Sequence, residues 1–201
     1  MKINAIFVDT ETSGLHPYFN AILQIAAIRQ DGQTFQSYVK PHEGADINPE
    51  ALAKNGITTE QMKTFPEASV VAQSFLEFLK PQSPKIILAG HNVGFDEAFL
   101  QKFYQRQRLD KTFNSMVHYH KLDTLPLAMA LKEAGLIQPT YLSLSGLTKA
   151  LGVVNENEHD ALGDVKAAKA SYEKMLALLK PAPVGQLFST SPQAIQSSTL
   201  A

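Results

Sequence analysis

Apolar and polar positions fall in blocks along this chain, and the blocks predict strands and helices in mixed α/β order. Apolar runs over 3–9, 22–28 and 34–40 read as three successive strands, with Gln30-Asp31-Gly32-Gln33 as a tight turn signal between the second and third. Together they predict an antiparallel meander. A short helix over 49–55 opens on Pro49 and closes at Gly56. Val71, Phe75, Phe78 and Leu79 then recur at helical spacing between Pro66 and Pro81. Ile86-Ile87-Leu88-Ala89 is a short buried strand leading into Gly90-His91-Asn92, after which Phe95, Phe99, Leu100 and Phe103 resume a helical period. Strand followed by helix is the signature of a crossover unit in a mixed sheet. A last strand is expected over 117–125, followed by helices over 126–134 and 143–151 that end at Gly135 and Gly152. In the final helix, Ala161, Val165, Ala168, Tyr172, Met175, Leu176 and Leu179 form one apolar stripe, with Lys166, Lys169 and Lys174 facing elsewhere.

The pattern stops at Lys180. Residues 181–201 carry no charged side chain and hold Pro181, Pro183 and Pro192 among Ser, Thr and Gln, which reads as a flexible tail behind one domain over 1–180. Gln186-Leu187-Phe188 is the tail's one apolar spot. The chain has 201 residues, 44% of them hydrophobic, enough for one full core. With 18 Lys+Arg against 19 Asp+Glu, the net charge of -1 argues against coating long duplexes by bulk charge and leaves room for a small local nucleic-acid site. There is no cysteine, so disulfides and thiolate metal sites are excluded. No apolar run approaches the ~20 residues of a bilayer span, and the apolar N-terminal stretch runs into Asp9 too soon for a signal peptide. A cytoplasmic protein without a membrane anchor is the expectation.

Within the first apolar run, Val8-Asp9-Thr10-Glu11 sets two carboxylates one residue apart at a strand end. Side chains at i and i+2 share a face, so Asp9 and Glu11 repel unless a cation or a shared proton relieves them. Two later segments supply partners. His91-Asn92-Val93-Gly94-Phe95-Asp96 stands where a strand passes into a helix, the place where ligand sites gather in α/β sheets. His159-Asp160-Ala161-Leu162-Gly163-Asp164 opens the final helix. At about 100° per residue, His159 and Asp164 would not share one helical face, so His159 is expected in the entry loop. Each element also has an ordinary reading, since Asp96, Asp160 and Asp164 are all suited to helix starts.

In this order and with these spacings, the three motifs resemble the DEDDh branch of the DnaQ-like 3′-to-5′ exonucleases: Asp-Thr-Glu-Thr-Ser-Gly-Leu at 9–15, His-Asn-Val-Gly-Phe-Asp at 91–96, and His159 with Asp164. The resemblance implies a ribonuclease H-like α/β fold, a mixed five-stranded sheet flanked by helices, with 1–180 as the exonuclease domain. It further implies that Asp9, Glu11, Asp96 and Asp164 hold two Mg²⁺ or Mn²⁺ ions. Hard cations prefer carboxylate oxygens, and two of them can stabilise both oxygens exchanged at a phosphodiester. His159 would act as general base, imidazole being a base suited to neutral pH. The substrate implied is the 3′ end of single-stranded DNA or RNA. Thr12 would meet the terminal 3′-hydroxyl through its backbone, Leu15 and Phe95 would lie against the last base, and His91 and Asn92 would contact the phosphate or orient their loop. Taken alone, Leu15 and Phe95 are ordinary core candidates.

Residues 41–57 are similar to the corresponding region of bacterial ribonuclease T, which suggests a homodimer as one partner. Polymerase proofreading subunits of similar architecture dock through C-terminal segments, so a DNA polymerase bound through Leu187 and Phe188 is another. Lys102, Arg106, Arg108 and Lys111 form the one close basic cluster, readable as a solvated helix face or a phosphate attractor. His118 and His120 would share a strand face but have no third ligand nearby.

Overall fold

The computed structural model describes residues 3–80, 85–155 and 158–180; the docking tail expected around Leu187 and Phe188 lies outside them. Five strands form one sheet in the order β3-β2-β1-β4-β5. β1 (Ala5–Thr12), β2 (Ile22–Arg29) and β3 (Thr34–Tyr38) form the expected antiparallel meander, while β4 (Ile86–Gly90) and β5 (Val117–Asp123) run parallel to β1. The helices are α1 (Pro49–Asn55), α2 (Thr59–Met62), α3 (Ala68–Leu79), α4 (Val93–Arg106), α5 (Asp110–Met116), α6 (Thr124–Glu133), α7 (Leu144–Leu151) and α8 (Ala161–Leu178).

Alternation along β1 serves two faces. Ile6 and Val8 pack with Phe75 of α3 and with Phe99 and Leu100 of α4, whereas Ala5 and Phe7 pack with Val165 and Ala168 of α8. Burial on both faces explains why β2 is almost wholly buried and reads as a continuous apolar run.

Three details depart from the sequence pattern. β1 does not stop at Asp9 but runs on through Glu11 to Thr12. Asp9 pairs with Ala26 and Glu11 with Gln24, because β2 supplies a ladder to the end of the strand. α2 and α5 carry too few apolar positions to be read from periodicity; α2 is fixed by a capping box in which the Thr58 hydroxyl accepts from Gln61 N. Leu176 and Leu179, expected on the apolar stripe of the last helix, are exposed. The stripe that packs inward runs through Ala161, Val165, Ala168, Ser171 and Met175, which turns Leu176 away.

Candidate active site

The site forms where β1 and β4 part. β1 stays paired with β2 to its end, but its ladder with β4 ends at Phe7↔Ala89. Gly90 sits at the fork: a Cβ there would come within 2.8 Å of the Val8 carbonyl oxygen, so only glycine lets the strands approach before diverging. The opening admits the first turn of α4. With no β4 carbonyl to take its N–H, Thr10 donates it to Asp96 Oδ1 at 2.9 Å and adds its hydroxyl to the same oxygen at 2.8 Å.

Asp9 and Glu11 alternate onto the opposite face, toward α8. That helix is tied down at its N-terminus by Asp160, whose Oδ2 accepts from Gly163 N at 3.2 Å and whose Oδ1 accepts from Gln24 Nε2 at 3.0 Å and Gln36 Nε2 at 3.1 Å. Gln24 Oε1 in turn accepts from Ala161 N at 3.1 Å. A buried glutamine on β2, paired directly with Glu11, therefore fixes the helix start to the strand that carries the first motif. Asp164 stands in the first turn of α8, where Asn155 Nδ2 donates to its Oδ1 at 2.7 Å.

As a result, carboxylate oxygens of Asp9, Glu11 and Asp164 lie within 4.8 Å of one another. Asp96 lines the same cleft, outside that triplet and with one oxygen committed to Thr10. His159 occupies the entry loop, as its spacing predicts, exposed and at a left-handed φ of 68° just before the Asp160 cap. Its backbone N–H is near enough to Asp164 to hold that carboxyl's pKa down, and the residue helps line the cleft.

Electrostatics mark the cluster as incomplete by itself. Burial, followed by the fields of Asp96, Glu11 and Asp164, pushes Asp9 well above the ordinary carboxyl range. Glu11 is pushed up to about 7, chiefly by burial and then by Asp164, with Lys54 of α1 pulling the other way. Asp96 rises to about 7 through burial, opposed by the two Thr10 bonds. Asp164 is raised by burial and held back by Asn155 and His159. Four carboxyls driven upward together are the donor set that a hard divalent cation would relieve, and the oxygens of Asp9, Glu11 and Asp164 are close enough to share one.

The cleft encloses about 340 Å³ between these residues and a wall made by α1, including Ala51, Lys54 and Asn55. Leu15 overhangs it and is 83% exposed, which overturns the core reading of that residue. Phe95 is half-buried at the mouth, its ring centroid 4.8 Å from that of Phe99. Thr12 is buried, its hydroxyl donating to Gly14 O at 2.6 Å, and a register shift between Glu11 and Thr12 breaks the ladder there. His91 is fully engaged by the protein: Nε2 donates to the Leu142 carbonyl at 2.9 Å, which leaves Nδ1 to accept from the Thr124 hydroxyl at 2.8 Å. Burial lowers its pKa, in keeping with a neutral ring. Both ring nitrogens of His91 are thus taken up by Thr124 and Leu142. Asn92, at a φ of 58°, is exposed, and its backbone N–H donates to Asp123 Oδ1 at 2.9 Å.

The rings of His118 and His120 are tilted against each other with centroids 4.7 Å apart, away from the cleft. The motifs do not single out Thr10, Gln24 or Asn155 as builders of the site, and they offer Asp160 only as a helix-start residue, which it is. Gln24 alone carried a signal, as a polar residue inside the apolar run Ile22-Leu23-Gln24-Ile25.

The model of the RNase_T family, described as exonuclease, matches residues 6–172, the stretch that holds every element of this cleft. The chain belongs to the RNase_T exonuclease family. Among its relatives, Exodeoxyribonuclease I of Escherichia coli (strain K12) is 31% identical over 202 residues, covering 92% of this chain and 42% of that protein. DNA polymerase III PolC-type of Bacillus cereus is 26% identical over 175 residues, covering 85% of this chain and 11% of the polymerase. The crystal structure of E. coli Exonuclease I with a dT13 oligonucleotide superposes with a TM-score of 0.74 at 27% identity, over 93% of this chain and 43% of that one. The zinc-bound form of the E. coli exonuclease I–ssDNA complex gives 0.77 at 26% identity, over 94% and 43%. This RNase_T exonuclease chain thus has the ribonuclease H-like fold and spans about two-fifths of the length of exonuclease I. Among the described residues, no helix is long and apolar enough to cross a membrane.

Proposed function

We propose that the chain is a metal-dependent exonuclease that removes nucleoside monophosphates from the 3′ end of single-stranded DNA. The reading rests on one observation: Asp9, Glu11 and Asp164 bring carboxylate oxygens within 4.8 Å of one another in a cleft that Asp96 and His159 also line. These carboxylates would hold Mg²⁺ or Mn²⁺, two ions in all. When bound, such cations supply positive charge at the attacking and leaving oxygens of a phosphodiester.

The remaining roles belong to side chains of this protein. His159, on an exposed loop at the mouth, takes the proton from the attacking water at its imidazole nitrogen. Leu15 and Phe95 bracket the terminal base, and the backbone at Thr12 receives the 3′-hydroxyl. Asn92 presents the strand-to-helix turn that His91 braces from behind. Single-stranded DNA is favoured as substrate by the likeness to exonuclease I, whose structures were solved with oligodeoxynucleotides.

The test is digestion of a 5′-labelled oligonucleotide with Mg²⁺, alongside matched RNA. A ladder shortening from the 3′ end is expected with DNA. Loss of signal no greater than that given by Asp9→Ala would sink the reading, and faster digestion of RNA would reassign the substrate.

The PolC-type relatives favour a second reading, in which the same chemistry proofreads for a DNA polymerase bound through residues 181–201. Co-purification of a polymerase with the full chain, lost on removing that segment, is its expected result.

A further inference from the structure

The loop joining β1 to β2 carries a surface that the cleft chemistry does not use. Its foundation is rigid. Ser13 N donates to Ala21 O at 2.8 Å, Ala21 N to Ser13 Oγ at 2.9 Å, and His16 N to the buried Asn20 side chain at 2.8 Å. Gly14 completes it, because a Cβ there would strike the Asn20 amide at 2.5 Å. On this base the loop displays Tyr18 at 61% exposure and Phe19 at 58%, next to Leu15. The exposed His16 ring stands between them, 5.7 Å from Tyr18 and 4.7 Å from Phe19, so the rings form one cluster. A loop pinned this firmly has no need of large apolar side chains facing water, and such a cluster marks a binding surface.

Two cations border it, both from α4. Lys102 Nζ lies 3.8 Å from the centroid of the Tyr18 ring, and Arg106 Nη2 donates to the carbonyls of Pro17 and Tyr18 at 3.2 and 2.7 Å. The same helix begins at the cleft with Phe95 and Asp96. Seven residues at 1.5 Å each put Lys102 about 10 Å along the helix axis from Phe95. Leu15 belongs to both places, lining the cleft and opening the aromatic loop. The surface is therefore continuous with the cleft, apolar in its centre and cationic at its edge. Single-stranded nucleic acid has matching chemistry, with bases that stack on any aromatic face and phosphates that seek cations.

We propose that His16, Tyr18 and Phe19, edged by Lys102 and Arg106, form a stacking platform for the nucleotides immediately 5′ of the terminal one. The proposal rests on the exonuclease reading for the direction of the strand. It explains how a chain of net charge -1 holds a polyanion: by stacking and local cations in place of bulk charge.

Binding of a fluorescein-labelled oligothymidylate to the Asp9→Ala variant tests this without requiring turnover. Adding Tyr18→Ala and Phe19→Ala is expected to weaken binding of a long oligomer roughly tenfold or more, and to bring it toward the affinity for a dinucleotide. Tyr18→Trp with Phe19→Trp should keep the tight binding. Lys102→Gln should flatten its salt dependence. In the active protein, KM for the long strand should rise while the dinucleotide shows no comparable rise. Equal weakening for long and short strands, or none for the long one, would overturn the platform and leave the surface to a protein partner. Failure of the wild type to cleave any strand would refute the exonuclease reading, while length-dependent binding would still decide this one.

Discussion

Thr10 gives both its backbone N–H and its hydroxyl to one oxygen of Asp96, at 2.9 and 2.8 Å, and so joins the first motif to the second across 86 residues of chain. Both bonds favour the carboxylate and oppose the burial that lifts Asp96 to about 7. Thr10→Val keeps the shape and removes the hydroxyl. Asp96 should then rise further, hold its proton at neutral pH and bind cations less well. A rise of about one unit from 7 cuts the deprotonated fraction at pH 7 from a half to about a tenth, so activity at pH 7 should fall about fivefold, with the deficit shrinking as pH rises toward 9. A pH–rate profile checks this; a deficit constant across pH would show that the hydroxyl acts by geometry alone.

Gln24 and Asp160 act on the other side of the site. Their mutual hydrogen bond, with the bond from Ala161 N to Gln24, fixes where α8 begins and hence where Asp164 stands. Gln24→Leu removes both, leaving the Ala161 N–H without its partner and the Asp160 cap half-supported. A cost of about 1–2 kcal/mol in stability is expected, read as a fall in the urea midpoint. Because α8 would no longer be held in register with β1, the Mg²⁺ concentration giving half-maximal activity should rise several-fold. An unchanged Mg²⁺ requirement would mean that Asp164 is placed by the core contacts of Val165 and Ala168 without this tether.

Much of this arrangement was legible in the sequence because it follows from local rules. The meander, the crossover at β4 and the capped start of α8 each announce themselves through period-2 or period-3.6 patterns and their punctuation. Asp9 and Glu11 stand out because two carboxylates sharing a face at the end of an apolar strand demand compensation; Asp96, His159 and Asp164 join them through the order and spacing of the three motifs that resemble the DEDDh exonucleases. The residues that hold them in place were not legible. Thr10 and Asn155 are unremarkable in sequence, and their bonds to Asp96 and Asp164 exist only once distant segments meet. Leu176, and Leu15 when taken without the resemblance, read as core for one reason: a leucine carries the same signal whether it faces a core, a substrate or water, and here both are exposed.

Asp9 has the most carboxylate neighbours. Asp96, Glu11, Asp164 and Asp160 all raise its pKa, after burial. Asp9→Asn conserves volume and removes the charge. Without divalent cations at pH 8, the variant should be more stable than wild type by about 1–3 kcal/mol, the usual range for relieving an uncompensated buried charge or polar group. For a chain of this size that is a rise in Tm of several degrees, and cleavage should be abolished. Saturating Mg²⁺ should reverse the order, stabilising wild type and not the variant. A variant less stable than wild type under both conditions would show that Asp9 serves the fold.

Stability of the cation-free protein should depend on pH in the sense opposite to that of a salt-bridged carboxylate. Glu11 has an ordinary value of 4.5 and is lifted to about 7 in the fold. Between those values the folded chain keeps a proton that the unfolded chain has released, so stability falls as pH rises through this window. The loss from Glu11 alone is on the order of 3 kcal/mol, and Asp96, also near 7, adds to it. Divalent cations should cancel it, because a bound cation favours the deprotonated forms. Thermal melts at pH 5 and pH 8, with EDTA and with Mg²⁺, should therefore show a large gain from Mg²⁺ at pH 8 and little at pH 5. Equal gains at both pH values would place the cation on groups other than these four carboxylates.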